Sequence, residues 1–189
     1  MLFFVACLLK ANIIVIINIR QENQSDYDVT EKLIQEAFLN ADYSNHKEHI
    51  LVQKLRHTEN FIPKLSLVAE LDNQLVGHIL FTIVNIVANK TKESLALAPL
   101  SVLPEVQRQG IGSRLMKYGL AKAKELGFES VIVLGHPEYY KKFGFMKASK
   151  WNVQFPFDVP DEVFMALELK ENALADAAGV VRYPSVFTE

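Results

Sequence analysis

Apolar and polar positions alternate along this chain with two rhythms, one near two residues and one near 3.6, and the switches between them lay out its elements. The start, Met1 to Ile17, is apolar apart from Lys10 and Asn12, and the isoleucine-rich run Ile13 to Arg20 predicts a buried first strand. Ser25 or Asp26 would cap a helix that carries Val29, Leu33, Ile34, Ala37 and Phe38 at helical spacing. A polar loop, Asn40 to Asn45, leads to a second helix with Ile50, Leu51, Val52 and Leu55 as its apolar face, and Pro63 ends that region. Ser66 to Leu71 and Leu75 to Val87 are β-rich runs parted by Asp72-Asn73-Gln74, which reads as a hairpin. Ala88 to Glu93 is another polar turn, and Leu95 to Leu103 is the next strand.

The most extended helical pattern comes next. Gly112, Leu115, Met116, Gly119, Leu120, Ala123 and Leu126 share one face, small residues on that stripe allow a close approach to a sheet, and Gly127 fits a left-handed stop. Ser130 to Leu134 predicts a short strand. His136-Pro137 opens a brief helix, with proline at its first position and Gly144 past its end. Phe145 to Ala148 and Val163 to Leu169 predict the last two strands, joined by a loop holding Trp151, Phe155, Pro156, Phe157 and Pro160, and a tail runs from Lys170 to Glu189. The order is β-α-α-β-β-β-α-β-α-β-β, an α/β chain with no repeat or second domain. Residues 1–12 are expected to be an apolar extension and 13–189 a single domain.

Composition narrows the classes. Half of the 189 residues are apolar and the net charge is −2, which suggests neither disorder nor a nucleic-acid-binding surface. Cys7 is the only cysteine, so an internal disulfide and a multi-cysteine metal site are excluded; a reducing, cytoplasmic setting fits. The apolar start falls short of the roughly 20 residues of a membrane span, carries Lys10 near its middle, and lacks a signal peptide's basic opening and cleavage site. Five basic residues and no acidic one lie between Val106 and Lys124 (Arg108, Arg114, Lys117, Lys122, Lys124), a solvated face whose first members could attract phosphates.

The chemistry centres on Gln107-Arg108-Gln109-Gly110-Ile111-Gly112, between a strand and the start of the amphipathic helix. Glycines let backbone approach a ligand, and a helix start offers unpaired N–H groups and the positive end of its dipole. No window supplies G-x-x-x-x-G-K-[ST], and the third glycine of G-x-G-x-x-G is replaced by Leu115, so neither phosphate motif is present. The letters match Q/R-x-x-G-x-G/A, and here the chain resembles the GNAT superfamily of N-acetyltransferases, whose pyrophosphate loop for acyl-coenzyme A has this form. Tyr139-Tyr140-Lys141-Lys142-Phe143-Gly144-Phe145 resembles the same family's aromatic-Tyr-x-x-φ-Gly-Phe segment. Glu48-x-x-Leu51-Val52-x-x-Leu55-Arg56 and Phe164 to Leu169 resemble a poorly characterised branch of predicted N-acetyltransferases.

The resemblance implies a mixed sheet with helices on both faces, and acetyl-coenzyme A as co-substrate with no metal. Leu100, Ser101 and Val102 would pair with the pantetheine arm; Gln107 belongs to the loop motif, and amides of Arg108, Gln109, Gly110, Ile111, Gly112 and Ser113 would hold the pyrophosphate. The Ser113 hydroxyl adds a bond or merely satisfies the helix start, and Arg108 and Arg114 screen charge or are simply exposed. Tyr140 would protonate the departing sulfur, since a phenol with pKa near 10 stays protonated at neutral pH; Tyr139 is expected to pack. The base is open between Glu48, His136 and ordered water, while His78, inside a strand, reads as structural. Direct attack by an amine in a ternary complex is expected, because a lone distant cysteine makes an acyl-cysteine intermediate a poor fit. Asp42, Glu48, Asp158, Asp161 and Glu162, with Tyr43, Phe155 and Phe157, come from regions that border the acceptor groove in relatives. The alternatives are a non-catalytic acyl-coenzyme A sensor or interaction module, and a membrane-associated protein built on Met1 to Ile17. Homodimerisation, common in the family, is left open.

Overall fold

The computed structural model describes residues 17–42 and 44–188. The expected extension at 1–12, the first strand's beginning at 13–16, Cys7 and Tyr43 lie outside the described residues. Strands β1 (Ile17–Gln21), β2 (Phe61–Leu71), β3 (Gln74–Val87), β4 (Thr91–Val102), β5 (Ser130–Leu134), β6 (Met146–Lys147), β7 (Val153–Gln154), β8 (Phe164–Glu168) and β9 (Gly179–Arg182) alternate with helices α1 (Tyr27–Phe38), α2 (Glu48–Leu55), α3 (Ile111–Glu125) and α4 (Pro137–Tyr140). The sheet runs β1-β2-β3-β4-β5-β8-β6, antiparallel except for the parallel β4–β5 pair. The mixed α/β class expected from the sequence is the one observed.

Consecutive residues of a strand face opposite sides of a sheet, and β3 shows which helices lie where. Ile79 and Phe81 pack with Ile111, Leu115, Met116 and Ala123 of α3. Leu80, between them, packs with Leu33 and Ile34 of α1 and Val52 and Leu55 of α2. Helices therefore cover both faces. Leu115 is wholly buried, a gain of about 1.5–3 kcal/mol for such a side chain. A methyl group added at Gly119 would stand 2.5 Å from Phe81 Cε2, so the helix lies as near the sheet as the small-residue stripe predicts. α3 ends in a Schellman motif: Gly127 has φ +91°, and the Phe128 and Gly127 N–H groups reach the Ala123 and Lys124 carbonyls at 3.1 and 3.0 Å.

Several local expectations are corrected. Asp72 and Asn73 form a two-residue turn with φ +50° and +61°, joining Leu71 directly to Gln74. Pro63 does not end a region but sits inside β2, where the register breaks between Phe61 and Ser66, a place where a missing N–H does no harm. Val29 and Ile50 are exposed, and Thr30 occupies the buried stripe of α1. Asp26, one of the two expected caps, stands at the N-cap of α1 without a side-chain cap bond, and the 3-10 turn before it, Gln24–Asp26, is itself entered through a capping box between Asn23 and Asp26. The tail from Lys170 holds β9, which pairs with Asn85–Val87 of β3 where β2 no longer covers that edge, and β7 pairs with β9 in turn.

Candidate active site

The cleft begins where two strands part. β4 and β5 pair only at Leu95↔Val131 and Ala96↔Ile132. Beyond Ala96, β4 continues beside β3 alone to Val102, so residues 97–102 have no strand on their β5 side among the described residues. The register with β3 shifts between Ile79 and Phe81: Ala98 and Pro99 stand opposite Leu80 alone. Such a bulge bends a strand and re-aims its backbone. The open side can accept an extended, amide-bearing ligand as an added strand.

At the end of β4 the chain makes a 3-10 turn, Pro104–Val106, and then bends through Arg108 (φ +62°) and Gly110 (φ +85°) into α3. Gly110 is the helix N-cap, and nothing lies within 4 Å of where its Cβ would be; glycine is required there by conformation and not by space. The first helical bond runs from Arg114 N–H to the Gly110 carbonyl at 3.0 Å, which leaves the amides of Ile111, Gly112 and Ser113 without an acceptor in the helix. No acidic residue sits in that first turn. Gln107 turns back, its Nε2 donating to the Val102 carbonyl at 3.0 Å, so its side chain ties the loop to the strand. Arg108, Gln109 and Arg114 are exposed.

The aromatic segment forms the opposite wall. His136 caps α4 in an extended conformation, and its carbonyl accepts from the Tyr139 and Tyr140 amides at 3.0 and 3.3 Å. Tyr140 lies edge-on to Tyr139 (centroids 5.2 Å apart) and Phe145 (5.7 Å), and its ring covers Gly135, whose added Cβ would stand 2.6 Å from Cε2. Tyr139 reaches further. A Cβ on Gly112 would stand 2.9 Å from its Oη, 3.5 Å from Val102 and 3.8 Å from Leu100, so this phenol rests on the first turn of α3, at the floor of the cleft. Its Oη is buried without a hydrogen-bond partner. Burial pushes the Tyr139 phenol up, with the Ser113 hydroxyl opposing; burial, helped by Tyr139, pushes the Tyr140 phenol up strongly. Both are therefore neutral donors at physiological pH. As expected, Tyr139 packs, against Tyr140 and Phe143, and its Oη also stands beside Gly112, which the adjacent Y-Y pair alone could have signalled.

The acid–base candidates are dispersed. Glu48 opens α2; its Oε1 accepts from Ser44 at 2.6 Å and its Oε2 is buried without a partner. Asp161 is paired with Lys147 at 2.9 Å, while Asp42, Asp158 and Glu162 are exposed. Phe155 packs against Phe164 (5.2 Å), Tyr183 (5.5 Å) and Phe157 (5.9 Å), in a cluster with the C-terminal segment. Among the described residues no group of three or more His, Cys, Asp or Glu could hold a metal. Nor is any helix among them long and apolar enough to cross a membrane.

Comparison with known proteins gives consistent matches. Residues 27–145 match the model of the acetyltransferase (GNAT) family. Over 118 residues the chain is 38% identical to the uncharacterized N-acetyltransferase YjhQ of Escherichia coli K12, a stretch covering 61% of this chain and 65% of that protein. It is 30% identical over 153 residues to the uncharacterized N-acetyltransferase YhbS of the same strain, covering 80% of this chain and 90% of that one. The crystal structure of E. coli YhbS with CoA superposes with a TM-score of 0.83 at 26% identity, covering 93% of each chain. A GNAT family acetyltransferase from Brucella melitensis, solved with acetyl-CoA, gives a TM-score of 0.75 at 33% identity over 91% of this chain and 98% of that one.

Proposed function

This chain belongs to the GNAT family of acetyltransferases, and from that premise we propose that it transfers an acetyl group from acetyl-CoA to an amine of a small molecule or peptide by direct attack. It is an acetyl-CoA-dependent N-acyltransferase. The observation that carries the reading is the conjunction of an unpaired β4 edge with the free amides of Ile111, Gly112 and Ser113. Diphosphate oxygens fit those amides, where the helix dipole favours negative charge. Pantetheine amides fit Leu100 to Val102. CoA bound in the YhbS crystal structure and acetyl-CoA in the Brucella one support the same ligand here.

The residues divide the work. Gln107 holds the loop against β4, Gly110 supplies the left-handed turn into α3, and Gly112 leaves room for Tyr139 beside Val102 and Leu100. The acceptor amine loses a proton, its nitrogen bonds to the thioester carbonyl carbon, and the C–S bond breaks. Tyr140, kept protonated by burial, gives its proton to the sulfur and recovers one from the acylated nitrogen. The Tyr139 hydroxyl would donate to the arm beside Leu100 and Val102. Calorimetry with acetyl-CoA, followed by a scan of amine acceptors for thiol release, tests the reading. Binding with turnover is the expected result. Binding without turnover on any amine would favour an acyl-CoA sensor, and no binding would overturn the proposal.

A further inference from the structure

The face of the sheet turned away from α3 divides into a polar part and an apolar part. Beneath α1 and α2 the polar side chains bond one another. Arg56 Nη2 donates to Glu22 Oε1 at 2.7 Å, Ser66 Oγ donates to Glu22 Oε2 at 2.6 Å, and Ser66 Oγ lies 3.1 Å from His78 Nε2. Further along β3, Val84 and Ile86 face the same side as Leu80 and pack with Ala96, Ile132 and Phe164. Ala96 and Ile132 are the last pair that β4 and β5 make, so the apolar part lies at the apex of the cleft, across the sheet from the glycine turn.

Aromatic rings cross that apex. Phe164 pairs with Leu134, which ends β5 and, two residues past Ile132, faces the same side. Phe155 packs on Phe164 (ring centroids 5.2 Å apart) and on Tyr183 (5.5 Å), and Tyr183 packs on Phe187 (4.9 Å). Phe187 in turn packs on the cluster that Leu80 makes with α1 and α2, and Leu80 stands opposite the Ala98–Pro99 bulge of β4. The row of rings therefore reaches from the β5 side of the parting to the β4 side. Phe155, Tyr183 and Phe187 are half-buried, while Leu134 is 44% exposed and Phe157, 5.9 Å from Phe155, is 61% exposed. Of the neighbouring carboxylates, Asp161 is paired with Lys147 at 2.9 Å and Glu168 accepts from the Leu174 N–H at 2.7 Å. Asp158, which follows Phe157, is exposed and gives the rim a charge that attracts an ammonium.

We propose that the acceptor is a small amine carried on an aromatic or branched apolar group, held against the rings of Phe155, Tyr183 and Phe187 with Phe157 at the mouth. The inference rests on the acetyltransferase reading and adds the acceptor's chemical class to it. On that reading the thioester reaches the parting from the α3 side, where the glycine turn and both tyrosines lie, and the opposite face is left to the amine. Half-exposed rings lose apolar surface to water when an apolar group lies against them, and an aryl group adds edge-to-face contact. A polyamine or amino sugar would instead set its polar groups against the rings with no partner. All of these rings lie beyond residues 27–145, the region matched by the family model. The C-terminal segment builds half of the row: β9, paired with Asn85–Val87 of β3, delivers Tyr183 and then Phe187.

The test compares acceptors of rising apolar size on acetyl-CoA in the full chain: ethanolamine, isobutylamine and 2-phenylethylamine, with spermidine as the polar control. kcat/KM is expected to rise along the series, by about tenfold or more from ethanolamine to 2-phenylethylamine. Phe157→Ser, at an exposed position, and Phe187→Leu, which keeps an apolar side chain against α2, should each cut the ratio of 2-phenylethylamine to ethanolamine by about fivefold, mainly through KM. A flat series, a preference for spermidine, or a ratio unchanged in both variants would overturn the proposal. So would a dimer in sedimentation that Phe157→Ser splits without changing the ratio, since the rings would then join two copies of the chain. If the variants do not fold, the wild-type series decides. If no amine turns over, calorimetry on the CoA-loaded chain decides: tighter binding of 2-phenylethylamine than of ethanolamine supports the ring site, and equal binding sinks it. Failure of wild type to bind acetyl-CoA is a separate result, which overturns the functional reading and the acceptor class with it.

Discussion

The two faces of one sheet solve the problem of unpaired polar groups in opposite ways. At the glycine turn, on the α3 side, orphaned groups are backbone amides at a helix start bordered by the exposed Arg108, Gln109, Gly110 and Arg114. Beneath α1 and α2, polar groups are side chains sealed from water, and Glu22, Arg56, Ser66 and His78 bond one another there, with Arg56 Nε and His78 Nδ1 left over. A local turn can be assembled from neighbours in sequence. A buried network needs residues brought together by folding, and its stability and chemistry stand or fall together.

Removing one partner of the buried pair should give the largest effect. Arg56→Leu leaves the Glu22 charge with side-chain burial complete and its closest cation gone, and is expected to cost about 3–5 kcal/mol in urea unfolding. Replacing both residues with apolar ones of similar size should cost far less, because no charge is then stranded. A loss below 1 kcal/mol for the single variant would mean that the network contributes little to stability, and the contrast between the faces would fail. The glycine turn predicts nothing comparable.

Acid should reveal the same asymmetry. The Glu22 carboxyl titrates at about 2 in the folded chain, below its unfolded value near 4.5, so the folded state binds its proton less readily. Stability from this group is present above pH 4.5 and is lost as pH falls toward 2, on the order of 3 kcal/mol in all. Glu22→Gln should flatten that part of the stability–pH curve, as followed by chemical unfolding at a series of pH values. Gly110→Ala comes next. It is expected to cost about 1–2 kcal/mol for a left-handed alanine, with weaker acetyl-CoA binding by calorimetry and no change in the acid slope.

The same division explains what the sequence made legible. The strand–turn–helix of the site, the Gly127 stop and the Pro137 start could all be read because each depends on residues a few positions apart. His78 read as a strand residue of structural use. Its partners Ser66 and Glu22 are brought to it by strand register, which periodicity does not carry. β9 is not legible for a similar reason, since Gly179–Arg182 becomes a strand only through the uncovered edge of β3. Spacing puts Val29 on the core face, yet the buried stripe of α1 runs through Thr30, Leu33 and Ile34. Helical spacing defines a band without fixing where the sheet meets it.

The smallest predicted effect bears on the one side chain that gives the glycine turn a buried polar atom. An alanine Cβ at Gly112 would stand 2.9 Å from Tyr139 Oη, and the phenol, edged by Tyr140 and Phe143, has limited freedom to withdraw. Gly112→Ala should therefore cost about 1 kcal/mol through overpacking. Tyr139→Phe removes the colliding atom, and because Oη makes no well-formed hydrogen bond its loss alone should cost less than about 1 kcal/mol. The double variant should then be more stable than the sum of the two single changes, with a coupling of about 0.5–1 kcal/mol in a urea cycle. Strict additivity would mean that the phenol does not rest on the first turn of α3. Tyr139 would then lie away from the cleft floor, and the turn would work through its backbone alone.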